Sequence, residues 1–218
     1  MLTPLRVVLT GGPAGGKTTA LGLLAQHYRK LGHPVYTAPE IPTLLHSAGV
    51  NLVEKMTGGA HNDRSRNQEN LLRGALSLQL AMEEVLYNLA TTDAGHLRPI
   101  LLFDRGISDF KGYYAPAIWD DVTEQLNIDR DYEYYCYDLV LHLTTTAIGA
   151  EQFFNNDNPA RQCTTELARQ LDLQTKNAWE RSAQVIDNST DFQGKLARII
   201  ALIDRAIIDS WPGFGGGG

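Results

Sequence analysis

The chain has 218 residues and a mass of 24.1 kDa, with 43% hydrophobic and 20% charged residues, a balance that fits one globular domain and excludes disorder through the bulk of it. Its longest apolar runs, such as Ile100 to Phe103 and Ile199 to Ile203, are four or five residues long, far below the ~20 that a bilayer-crossing helix needs. The formal net charge is −6, and residues 104–138 alone hold nine Asp and Glu against three Lys and Arg, so the remainder is neutral and offers no phosphate-backbone footprint for nucleic acid.

The start, Met1-Leu2-Thr3-Pro4-Leu5-Arg6, lacks the features of a signal peptide, and the expectation is a cytoplasmic protein. Cys136 and Cys163 have no metal-ligand spacing and read as structural thiols of a reducing compartment. The histidines are scattered and predict no metal site of their own.

Taken in chain order, the first predicted strand is Leu5 to Leu9. It leads into Gly11-Gly12-Pro13-Ala14-Gly15-Gly16-Lys17-Thr18, which satisfies GxxxxGK[ST] between a strand and a helix, the setting of a P-loop. Such a match arises by chance at about one position in thirty thousand. In a P-loop, backbone N–H groups and the helix N-terminus cradle phosphates, so Gly11, Gly12, Pro13, Ala14, Gly15, Gly16, Lys17, Thr18 and Thr19 are the expected ATP-binding residues. Lys17 is expected to reach the β- and γ-phosphates and Thr18 to ligate Mg²⁺.

The first helix is expected over about Gly16 to Leu31, with Leu21, Leu24 and Ala25 inward, stopped by Gly32 and Pro34. A second strand, Val35 to Thr37, ends near Glu40. That position is where open α/β sheets bind ligands, and Glu40 is the candidate base for an alcohol acceptor. Arg64-Ser65-Arg66 is either a solvated turn or an anion contact. A long helix follows over about Asn67 to Ala90, its stripe of Leu71, Leu72, Ala75, Leu76, Gln79, Met82, Val85, Leu86 and Leu89 read as core.

The third strand, Ile100 to Phe103, ends in Asp104, a Walker B carboxylate expected to hold Mg²⁺. Arg105 stands where motor ATPases usually carry a water-activating Glu, so water is not the expected acceptor. Tyr113, Tyr114 and Trp119 read as packing before acceptor pocket, and the Tyr132 to Tyr137 cluster as a strand entry. Two further strands are predicted at Leu139 to Leu143 and Gln184 to Ile186, and a last helix over about Phe192 to Asp209 with Leu196, Ile199, Ile200, Ile203 and Ile207 on one side. The alternation predicts an α/β fold, a parallel sheet with crossover helices. Residues 1–211 are expected to form one domain, and 212–218 a flexible Gly-rich tail.

Asp104-Arg105-Gly106, followed by Ser108 and Tyr113-Tyr114, resembles the Asp-Arg segment of thymidylate and deoxynucleoside kinases. Thr37-Ala38-Pro39-Glu40 resembles the site of the catalytic Glu of deoxynucleoside kinases, and Ile186-Asp187-Asn188-Ser189-Thr190 the loop lying against adenine. The whole pattern also looks like a group of AAA-labelled ATP-binding proteins related to the nicotinamide riboside kinase domain. The resemblance, over about residues 5–207, implies a three-layer αβα P-loop NTPase fold with a five-stranded parallel sheet of order 2-3-1-4-5. It implies a kinase using ATP and Mg²⁺ on a small-molecule acceptor, nucleoside-like or nucleotide, or else a regulatory nucleotide-binding ATPase. It also implies Lys17, Glu40, Asp104, Arg105 and Arg161 as catalytic, Asn188 and Thr190 as base-side contacts, and a lid at about 147–165 that contains Arg161 and is poorer in Arg than is usual. A homodimer stays open.

Overall fold

The structure is a computed structural model that describes residues 2–52, 61–92, 96–129, 131–154, 164–179 and 182–209. Five strands form one parallel sheet of order β2-β3-β1-β4-β5: β1 (Leu5–Thr10), β2 (Val35–Ala38), β3 (Ile100–Asp104), β4 (Leu139–Leu143) and β5 (Ala183–Ile186). This is the expected order. The three central strands are almost continuously apolar because both their faces are covered, as a parallel sheet requires.

Successive side chains of a strand point to opposite faces, and the two core layers sort accordingly. Leu5, Val7, Leu9, Ile100, Leu102, Leu139, Leu141 and Leu143 face helices α1 (Lys17–Lys30) and α7 (Phe192–Asp209), meeting Leu24, Tyr28, Ile199 and Ile203. Val8, Leu101, Phe103 and Val140 face the other way, toward the long helix α3 (His61–Thr92) and Trp179. Beside this layer, Leu72 and Leu76 of α3 pack with Ile41 of α2 (Ile41–Ser47), Phe110 of a 3₁₀ segment (Ile107–Tyr113) and Val122 of α4 (Pro116–Gln125).

Two expectations need correction. The Tyr132 to Tyr137 cluster leads into β4 but is not its entry: Tyr132–Cys136 is a short helix, α5, and pairing in the sheet begins only at Leu139. Tyr132 and Tyr137 turn inward to the hydroxyl acceptor Glu83, a polar reason for bending the chain that apolar patterning could not reveal. The buried stripe of α3 is Leu72, Ala75, Leu76, Gln79, Glu83 and Ala90, whereas Val85 and Leu89 are exposed; the true stripe runs through two polar residues and leaves those two apolar ones outside it. The remaining helix, α6, covers Thr165–Ala178 and is capped by Thr164, whose Oγ1 accepts the Leu167 N–H at 3.2 Å. Arg161, Cys163, residues 155–163 of the expected lid and the Gly-rich tail lie outside the described residues, as does the side chain of Arg64.

Leu24 is fully buried between the sheet and α7, so Leu24→Ala should lower stability by about 2–5 kcal/mol. Urea unfolding measures this directly; a loss well under ~1 kcal/mol would show that the α1 layer does not pack as described.

Candidate functional site

The sheet order brings three strand ends into a row. Leu9 is in register with Asp104, and Ala38 with Phe103, so the P-loop, Asp104-Arg105 and Glu40 all stand at the carboxyl edge of β1, β3 and β2. Open α/β sheets bind their ligands at this edge.

The loop between β1 and α1 is shaped by backbone crowding. Gly11 has φ +127°, and a Cβ there would run into the carbonyl of Leu143; a Cβ on Gly15 would stand 2.5 Å from the same oxygen. Only glycine tolerates both the conformation and the approach. The loop is also tied from outside. Asp172 of α6 accepts the N–H groups of Gly12 and Thr145 on one oxygen, each at 2.9 Å, and faces His142 Nε2 at 3.1 Å with the other. Thr145 Oγ1 donates to Pro13 O at 2.5 Å, and Thr146 donates its N–H to Ala14 O at 3.3 Å. Burial raises the cost of charging Asp172, but the imidazole and the two N–H groups outweigh it and hold the carboxyl below its ordinary value.

Lys17 is buried, its Nζ donating to the carbonyls of Gly11 and Gly12 at 2.9 and 2.7 Å. Burial, with the charge of Arg105, pushes the ammonium down to about 8, against the pull of Asp104, Glu40 and Asp109. Thr18 Oγ1 donates to Asp104 Oδ2 at 2.8 Å, while Asp104 Oδ1 is buried with no hydrogen-bond partner among the described residues. Burial raises the Asp104 carboxyl, and Lys17 and the Thr18 hydroxyl act to lower it.

A buried carboxylate oxygen without a partner, beside a hydroxyl, is a hard-oxygen pair suited to Mg²⁺, which binds through one or two protein oxygens and completes its shell with phosphate and water. No cluster of three His, Cys, Asp or Glu residues fit to hold a metal alone occurs among the described residues. The expected pair of Thr18 and Asp104 therefore fits a nucleotide-borne Mg²⁺ better than a resident metal.

Arg105 links the row. Its Nε donates to Glu40 Oε1 at 2.5 Å and its Nη1 to Asp109 Oδ1 at 3.2 Å, and its guanidinium lies 5.9 Å from the centroid of the Tyr113 ring. Burial works against its charge, but Tyr113, Glu40 and Asp109 outweigh it and raise Arg105 well above the ordinary value. Glu40 Oε2 accepts from Thr43 Oγ1 at 2.9 Å, so both carboxylate oxygens are held.

Of the expected base-side contacts, Asn188 is committed to the loops: its amide donates to Thr145 O at 2.8 Å and Ile148 O at 2.6 Å and accepts from Lys195 Nζ at 2.6 Å. Thr190 is exposed and lies over Gly194, and Thr19 is exposed on the first turn of α1. Tyr114 and Trp119 pack into the core beside α4. Two site residues escaped the sequence reading. Asp109, fully buried, accepts from Thr10 Oγ1 at 2.6 Å and from the Gly106 N–H at 2.9 Å; its spacing four residues after Arg105 was the available signal. Asp172 is 160 residues from Gly12 and carried no local signal.

Residues 6–195 match the family model of the AAA domain (AAA_28). Among solved structures, a deoxyadenosine kinase from M. mycoides, with dCMP and a flexible dCDP as bound products, superposes with a TM-score of 0.51 at 16% identity, covering 92% of this chain and 99% of that one. No curated protein matches. The superposition carries the fold, a P-loop NTPase sandwich with the kinase-like strand order, and no more. The family match spans most of the chain, from β1 through the P-loop and the Asp104 strand to Lys195, and the chain belongs to the AAA domain family.

Proposed function

We propose that the protein is an ATP- and Mg²⁺-dependent phosphotransferase whose acceptor is the hydroxyl of a small, nucleoside-like molecule. The observation that carries this reading is Glu40, a buried carboxylate bound to Arg105 at 2.5 Å, just past the end of β2, the strand two places from the P-loop strand. A phosphate acceptor or a bare switch has no use for a base there, whereas an alcohol must lose its proton as the new bond forms. The fold is one that a deoxyadenosine kinase also uses.

In this reading the P-loop amides and Lys17 hold the triphosphate, and Thr18 and Asp104 hold Mg²⁺, which supplies charge neutralisation to the phosphoryl oxygens. The acceptor oxygen attacks the γ-phosphorus, the bond to the bridging oxygen of ADP breaks, and Glu40 takes the hydroxyl proton. Arg105 orients Glu40 and faces the charge that develops during transfer. Arg161, outside the described residues, is the proposed lid cation. Asn188 shapes the base-side loop through its backbone contacts, with Thr190 beside it.

Glu40→Gln preserves shape and hydrogen bonding but cannot take a proton. ATP binding by calorimetry should be almost unchanged while transfer falls about 10²–10⁴-fold. Transfer at the wild-type rate would move the base elsewhere; lost ATP binding would place Glu40 in the nucleotide site.

Lys17 gives a pH signature. Because the free ammonium is pushed down to about 8 and a bound triphosphate favours its charged form, binding takes up a proton once the pH exceeds that value. Affinity for ATP should therefore fall as pH rises above about 8, and titrations in buffers of different ionisation enthalpy should show proton uptake. A flat profile across that range would contradict the assigned role, and Lys17→Arg should flatten it.

A further inference from the structure

Arg105 is one of the non-glycine residues with positive φ, at +79°, a strained conformation that persists only where the surroundings enforce it. The enforcing contacts are visible on both sides of the turn. The Arg105 N–H donates to Leu9 O at 3.1 Å, and the Arg105 carbonyl accepts from Gln79 Nε2 at 3.3 Å. Two residues on, the Ile107 N–H donates to the Tyr137 hydroxyl at 3.1 Å.

Gln79 and Tyr137 come from different elements, yet both converge on one atom. Gln79 Nε2 donates to Glu83 Oε1 at 2.8 Å, and Tyr137 Oη donates to the same oxygen at 2.6 Å. The other Glu83 oxygen meets Arg6 Nη2 at 2.5 Å and the Tyr132 hydroxyl at 3.3 Å. Gln79, Glu83 and Tyr137 are all buried. A buried carboxylate needs such partners, but a single arginine would have served; two of these partners reach past it to the peptide groups that flank Gly106.

We propose that Gln79, Glu83 and Tyr137 are positioning residues that hold the strained Arg105–Ile107 turn, and through it aim the Arg105 guanidinium at Glu40 and the transferring phosphoryl group. The aiming role rests on the phosphotransfer reading; the holding of the turn does not. Among the described residues none of the three is hydrogen-bonded to the P-loop, so their loss should act on the chemical step and leave nucleotide affinity alone.

The test uses Gln79→Met and Tyr137→Phe, which keep side-chain volume and ring packing, with Ile199→Val in the opposite core layer as a control for general destabilisation. Holding of the turn is read without turnover, from the ¹⁵N resonances and hydrogen exchange of the Arg105 side-chain Nε–H and the Ile107 amide. Both should lose protection in the two variants and keep it in Ile199→Val, while the P-loop amides stay unchanged in all three. Unaltered protection in Gln79→Met and Tyr137→Phe would overturn the inference. Aiming is read from kinetics: kcat should drop about tenfold, as a small displacement of a catalytic group does, with KM for ATP unchanged, and the drop should vanish when Gln79→Met is made in an Arg105→Ala background. A drop that persists undiminished in that background makes the network structural only and overturns the aiming. If Arg105→Ala itself transfers at the wild-type rate, the assignment of Arg105 in the reaction fails, and the exchange data still decide whether the network holds the turn.

Discussion

The structure turns on a balance of charge at the carboxyl edge of the sheet. Lys17 and Arg105 are buried there with Glu40, Asp104 and Asp109, two cations against three carboxylates among the described residues. Each ion taken from water costs several kcal/mol unless it is paired and hydrogen-bonded. Arg105 meets that cost by touching two carboxylates at once; Lys17 donates to two loop carbonyls, and burial with the charge of Arg105 pushes it down. By formal charge the cluster has one negative charge in surplus, and Asp104 Oδ1 has no hydrogen-bond partner among the described residues. An arrangement of this kind favours a divalent cation delivered with a polyphosphate over either one alone.

Everything that surrounds the edge serves to keep those charges in place. The parallel register of β1 with β3 sets Asp104 beside the root of the P-loop, and Asp109 ties Thr10, the last residue of β1, to the turn after β3. On the far side, Asp172 reads the P-loop backbone and the loop after β4 with one carboxylate oxygen. Lys195 and Asn188 extend the same tie to the loop after β5, through Thr144 O and Thr145 O. The loops that form the edge are thus linked by side chains to one another, and a shift in one is resisted by the next.

Much of this was legible in the sequence. The P-loop carried its own signature, and the apolar strands with helical stretches between them gave a parallel sheet whose order the family resemblance supplied. Glu40, Asp104 and Arg105 were legible because each stands at or just past a strand end, and strand ends in such a sheet share an edge. What stayed hidden depended on partners far apart in the chain: Asp172 with Gly12, Gln79 with Arg105, Tyr137 with Glu83. Hydrophobic periodicity is blind to such residues, since a buried polar side chain interrupts an apolar stripe or hides within one. Gln79 was counted in the core stripe of α3, where it does lie, but its amide serves a backbone turn 26 residues away. The stretch from Tyr132 to Tyr137 hid a similar tie: Tyr132 and Tyr137 pack their rings in the core and also bring their hydroxyls to Glu83 of a distant helix.

The most direct measurement is a screen of nucleosides, nucleotides and sugars with ATP and Mg²⁺, following phosphorylated products by mass spectrometry together with ADP. The account predicts ADP formed in step with a phosphate monoester of a nucleoside-like alcohol, and no such product when Mg²⁺ is chelated. ADP released with free phosphate at a rate indifferent to every added compound would contradict it and leave a nucleotide-hydrolysing switch in its place.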